Sequence, residues 1–128
     1  MRIEVMELNK YFKSLIDIDD TTIIICDLNH TIIYMNKFAT DLYAKKNMNL
    51  LGSNLLKCHN EDSNEKILKV VEWFKKDVNN NFVHTFFNEK QNKDGYMVAL
   101  RDDDGILIGY YEKHEYRNKD LTPFYNFD

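Results

Sequence analysis

Apolar residues recur at helical spacing over residues 6–16, where Leu8, Tyr11, Phe12, Leu15 and Ile16 fall on one stripe. This predicts an amphipathic helix whose stripe must be covered, either by its own domain or by the same helix of a second copy. An acidic cluster, Asp17, Asp19 and Asp20, separates it from the next element. The cluster lacks the glycine and the terminal glutamate of a calcium loop and reads as solvated linker. Residues 22–26, TIIIC, are β-branched and suit a buried central strand. Asp27-Leu28-Asn29-His30 supplies turn chemistry, and 31–35 forms the second strand of a hairpin. From Asn36, a fitting N-cap, the pattern turns helical, with Phe38, Ala39, Leu42 and Tyr43 on one side.

Leu51-Gly52 marks a break, and 53–59 reads as a short helical turn. Asp62 or Ser63 is predicted to cap the following helix, with Glu65 as capping-box partner to Asp62. From Ile67, the residues Val70, Val71, Phe74 and Val78 follow at steps of three, four, seven and eleven, and Asn79-Asn80-Asn81 ends this helix. Strand patterns then occupy 82–88, 96–100 and 106–112, the last two joined by an Asp102-Asp103-Asp104-Gly105 turn. The chain divides into a leading helix and linker (1–20), a body (21–117) and a loosely packed tail (118–128).

The length of 128 residues suits one domain, and 44% hydrophobic with 13% aromatic residues is enough for a core rather than a disordered chain. A net charge of -4 with both signs interspersed and no basic stripe argues against nucleic acid as a partner. Two distant cysteines, Cys26 and Cys58, make neither a disulfide framework nor a zinc site. Glu4 and Glu7 interrupt the N-terminus where a signal peptide needs apolar residues. No stretch approaches the ~20 apolar residues that span a bilayer. The expectation is a soluble, cytoplasmic protein with no membrane partner.

DLNHTIIYMNKFATDLY, Leu51-Gly52 followed by Leu55-Leu56, and MVALRDDDGILIGYYE (97–112) together resemble the ordered motifs of a PAS domain. A narrower pattern, Cys58-His59-Asn60 with Ser63 ahead of a helix, resembles PAS domains joined to hemerythrin-like domains in a bacterial family of unknown function. Asn60 stands where that family has proline, and Pro123 follows Asp120-Leu121-Thr122, where many PAS domains continue into a coupling helix. The resemblance implies an α+β fold, a five-stranded antiparallel sheet of order 2-1-5-4-3 with short helices on one face. It also implies a sensory or regulatory domain that binds a small apolar or planar ligand and signals in trans.

By that resemblance, Phe38, Leu42, Leu55, Cys58, His59, Val71, Phe74 and Met97 are the candidate pocket lining, and each is equally explicable as core. Haem would need His59 or Cys58, because the helix that usually supplies the ligand, 63–77, holds no histidine. Flavin photochemistry is disfavoured, since Gly52-Ser53-Asn54 leads into Leu55 without the reactive-cysteine motif. His84 reads as structural, and His30 and His114 as surface groups. No catalytic set is recognisable, so no enzyme is expected. The resemblance favours a homodimer through Leu8, Tyr11, Phe12, Leu15 and Ile16, with an unidentified signalling protein as further partner. The competing class is a ligand-free interaction module.

Overall fold

The computed structural model describes residues 5–58 and 60–127. In chain order the elements are α1 (Val5–Asp17), β1 (Ile23–Asp27), β2 (Ile32–Met35), α2 (Lys37–Ala44), a 3-10 turn (Leu55–Cys58), α3 (Glu61–Lys76), β3 (Phe82–Asn88), β4 (Lys93–Arg101) and β5 (Leu107–Tyr116). The strands make one antiparallel sheet of order β2-β1-β5-β4-β3. The class and strand order are those expected. Helices α2, over β1 and β2, and α3, over β4 and β5, cover one face, and the core lies between these layers.

Two turns work by one device. Asp27 Oδ1 accepts from the amides of Asn29 and Thr31, both at 2.9 Å, which bends the first hairpin. Asp102 Oδ1 accepts from Asp104 (2.9 Å) and Ile106 (3.0 Å) in the second. There Gly105 sits at φ 82°, a conformation that a side chain disfavours.

The roof is tied to the sheet by polar side chains at two ends. Asn36 is fully buried. Its Oδ1 accepts from the amides of Ile23 (3.1 Å) and Ala39 (3.0 Å), while its Nδ2 donates to the carbonyls of Thr21 (2.8 Å) and Ile16 (3.2 Å). At the far end the Arg101 guanidinium donates to the Phe74 carbonyl (2.6 Å) and the Asp77 carbonyl (3.1 Å), at the C-terminus of α3. A cation there satisfies carbonyls that the helix leaves without partners.

Several expectations are corrected. Asn60, not Asp62 or Ser63, caps α3, its Oδ1 accepting from the Ser63 amide at 2.9 Å. The earlier start places Glu61 and Asp62 in the first turn, where the helix dipole favours negative charge. Val78 lies beyond the helix and is exposed. β4 begins before residue 96 and β5 runs past 112, because ladder pairing continues through polar residues. The α1 stripe does not pack on its own domain: Leu8, Tyr11, Phe12 and Leu15 are exposed, Leu15 at 71%, and Ile16 is half-buried.

Asn36→Ala removes an N-cap and leaves the Ile23 amide without a partner. It is expected to lower stability by roughly 2–4 kcal/mol, against about 1 kcal/mol for Asn60→Ala at the more open cap. Urea unfolding of the two variants checks this; equal losses would show that Asn36 acts as an ordinary cap.

Candidate functional site

Strand alternation and register place Met35, Ile24, Glu112, Met97 and Val83 in one cross-strand row on the inner face of the sheet. Four members are apolar and one is a carboxylate. The neighbouring row contains His114, Gly95 and Phe86. Over these rows the roof leaves a cleft of about 380 Å³. Its floor comes from the sheet (Ile24, Met97, Glu112, His114), its walls from Tyr43, Ser63, Lys66 and Ile67 on the helices, and its rim from Thr22, Thr85 and Phe86, beside Tyr96. The volume falls in the range of small-molecule sites, ~300–1,000 Å³.

Phe86 is placed by a glycine. A Cβ at position 95 would stand 2.0 Å from the Phe86 ring, so only a bare backbone lets that ring lie across β4. There it meets the His114 ring edge-on, with centroids 5.3 Å apart.

The cleft's polar groups are short of partners. No hydrogen bond or ion pair among the described residues engages the Glu112 carboxyl, and burial pushes its pKa from 4.5 up to about 7. His114 Nδ1 is buried with no hydrogen-bond partner among the described residues. Burial first, then the Lys93 charge, pushes this imidazole down to about 4, so it is neutral. Burial, and next the Glu112 charge, raises the Tyr43 phenol. Lys66 reaches the rim but donates to the Thr85 carbonyl at 3.2 Å.

The expected pocket residues are not gathered here, with one exception. Met97 lies on the cleft floor. Leu55, Val71 and Phe74 are buried in the close-packed core with Cys26, Ile32 and Tyr110, which fills the space beneath the 3-10 turn. Phe38 and Leu42 are half-buried on α2, outside the cleft lining. Cys58 is exposed, its Sγ 3.7 Å from the Asn54 carbonyl, which corrects its expected place in the pocket. His59 lies outside the described residues.

Of the other histidines, His114 is half-buried rather than at the surface. His30 is half-buried, with Nδ1 2.9 Å from the Tyr110 hydroxyl. His84 is exposed, with Nε2 2.7 Å from Asp94. Burial pushes the Cys26 thiol up to about 12, so it packs rather than reacts. No group of acidic, cysteine and histidine side chains that could hold a metal ion occurs among the described residues. No helix there is long and apolar enough to cross a membrane.

No family model matches the sequence, and no curated protein does. Solved structures do match. A PAS domain from Colwellia psychrerythraea superposes at TM-score 0.62 with 16% identity, over 86% of this chain and 97% of that one. A C-terminal domain from Streptococcus mutans gives 0.64 with 19% identity, over 84% and 83%. The PAS domain of Bordetella pertussis BvgS gives 0.54 with 14% identity, over 88% of each chain. The sheet order, the helical roof and these likenesses establish the PAS fold. The floor of the cleft in this chain carries a carboxyl and an imidazole, Glu112 and His114.

The two groups bend stability with pH in opposite senses. An unfolded Glu112 ionises above 4.5, whereas the folded one keeps its proton to about 7, so its contribution falls as pH rises across that interval, by up to roughly 3 kcal/mol. An unfolded His114 protonates below 6.5 and the folded one only near 4, so its contribution falls as pH drops between those values. Urea unfolding between pH 4 and 7.5 should give Glu112→Gln a stability that climbs from 4 to 6.5. His114→Gln should give one that declines from 4.5 to 7. Profiles parallel to wild type would mean that neither group is shifted by folding.

Proposed function

We propose that this chain is a sensory or regulatory domain that holds a small planar or apolar ligand in the cleft and reports its state to another protein in trans. One observation carries the reading: a largely apolar cleft over the sheet is lined by the Glu112 carboxyl, which no hydrogen bond or ion pair among the described residues engages. Buried polar groups in folded proteins are nearly always partnered, so a molecule that partners this one binds best to the conformation that holds the cleft around it and shifts the population toward that conformation. The PAS fold supports a sensor, and the cleft supports ligand binding over a solid interaction module.

The site provides no catalytic arrangement that uses Cys58, which faces solvent, and none that uses Cys26, which is buried as a thiol. Haem on Cys58 does not fit either, because the sulfur is outside the cleft lining. The narrower likeness to hemerythrin-linked PAS domains rests in part on Ser63 and departs from that pattern at Asn60. In this fold Asn60 and Ser63 form the α3 cap, a structural task independent of any such partner domain.

Output runs through surfaces that the cleft adjoins. β5 carries Glu112 inward and Tyr111 and Lys113 outward, so the outer sheet face is one residue from the ligand site. The α1 helix is anchored at its polar end, where Tyr34 donates to Asp17 and Asn36 Nδ2 donates to the Ile16 carbonyl, while its apolar stripe points away. A second copy is the proposed cover for that stripe, each such side chain contributing roughly 1.5–3 kcal/mol when fully buried.

Protein purified natively should carry a ligand mass in native mass spectrometry. A clean apoprotein mass, together with no compound binding in the cleft, would favour the interaction module, and an intense absorption band at the blue edge of the visible would favour haem. Separately, Phe12→Asp combined with Leu15→Asp should sediment as monomer where wild type sediments as dimer. An unchanged dimer would remove α1 from the interface.

A further inference from the structure

We propose that the cleft selects a planar aromatic cation edged with N–H donors, an amino-substituted nitrogen heterocycle, whose donor edge is held by the Glu112 carboxylate. This names the ligand class for the site described above and rests on that reading.

The donor requirement follows from what lines the floor. The Glu112 carboxyl has no partner among the described residues and keeps its proton to about pH 7 in the empty cleft; a bound cation favours the ionised form, which only accepts. An apolar occupant would bury the carboxyl without a partner, which costs its remaining hydration. An anion would set a second negative charge beside an ionised Glu112. A cation with several N–H groups along one edge meets both carboxylate oxygens at once, and such charge-assisted bonds are the stronger kind.

No cation of the protein already fills that role among the described residues. The Lys66 amine donates to the Thr85 carbonyl at the rim, and no ion pair joins any basic residue to Glu112. Flatness is set by the walls. The Phe86 ring, laid over Gly95, faces a space floored by Met97 and bounded by Ile67, and an aromatic face also attracts a delocalised cation. A cavity of about 380 Å³ has room for a fused bicyclic ring.

The test compares three probes of similar size by amide-shift titration of the full chain at neutral pH: 2-aminobenzimidazole, 2-naphthoate and indane. The expected result is a Kd for 2-aminobenzimidazole at least about tenfold below the other two, with shifts at Met97, Glu112 and His114. Glu112→Gln, which keeps the side-chain size, should abolish that preference. Naphthoate or indane binding as tightly as the amine overturns the cation assignment and leaves the cleft as a ligand site. A preference that survives in Glu112→Gln also overturns it. Failure of all three probes to move cleft resonances overturns this inference and the ligand-binding reading together. The wild-type ranking of the probes decides the matter even if a variant does not fold.

Discussion

The arrangement of this domain depends on the buried amide of Asn36. One side chain there satisfies the start of β1, the first turn of α2, the linker before β1 and the end of α1. Its own backbone amide donates to the Ile23 carbonyl at 3.0 Å. An amide is the group suited to this position, since it accepts through oxygen and donates through nitrogen. Aspartate has the acceptors without the donors, and leucine has neither. The hairpin, the roof and the leading helix therefore share one point of reference, so a shift in one of them is felt by the others.

Arg101 fixes the opposite end. Besides the α3 carbonyls, its guanidinium donates to Asn81 Oδ1 (2.7 Å) and to the Gly105 carbonyl (3.0 Å), so helix, connecting loop and closing hairpin meet at one cation. With both ends of the roof pinned, the middle need not be packed solid. On the 3-10 turn side, apolar side chains fill it. On the side toward β3, Glu112 and His114 occupy positions where aliphatic residues would have closed the gap, and the cleft is what remains.

The sheet was legible in the sequence because its strands are rich in β-branched and aromatic residues, as in TIIIC and FVHTFFN, and its turns use Asp, Asn and Gly at the steps that need them. The Asn36 cap was legible for the same local reason. The α3 cap was not. Asp62 with Glu65 satisfied a local rule as well as Asn60 did, and only the position of the 3-10 turn decides between them. The candidate site was largely illegible. Of the expected lining residues among those the structure describes, only Met97 reaches the cleft, since helical spacing says which side of α2 or α3 is apolar but not where the packing is loose. Glu112 and His114 were passed over because polar residues were read as the end of β5. In fact the alternation Tyr110, Glu112, His114 continues along one face, and that period of two, followed through the polar residues, was the available signal.

The margins of the sheet bear on how such a chain can meet other molecules. Along β2, the segment before the 3-10 turn lies against the strand: Gly52 donates to the Ile32 carbonyl at 2.8 Å, the Ile32 amide donates to Ser53 at 2.9 Å, and Thr31 bridges to Asn54. Along β3, pairing is irregular between His84 and Phe86, and the Thr85 carbonyl at that irregularity is already taken by Lys66. A bulge of this kind turns an outer strand away from a foreign one. Growth of the sheet by a neighbour's strand is thereby hindered on both flanks, so that side chains rather than free backbone dominate the margins of the sheet.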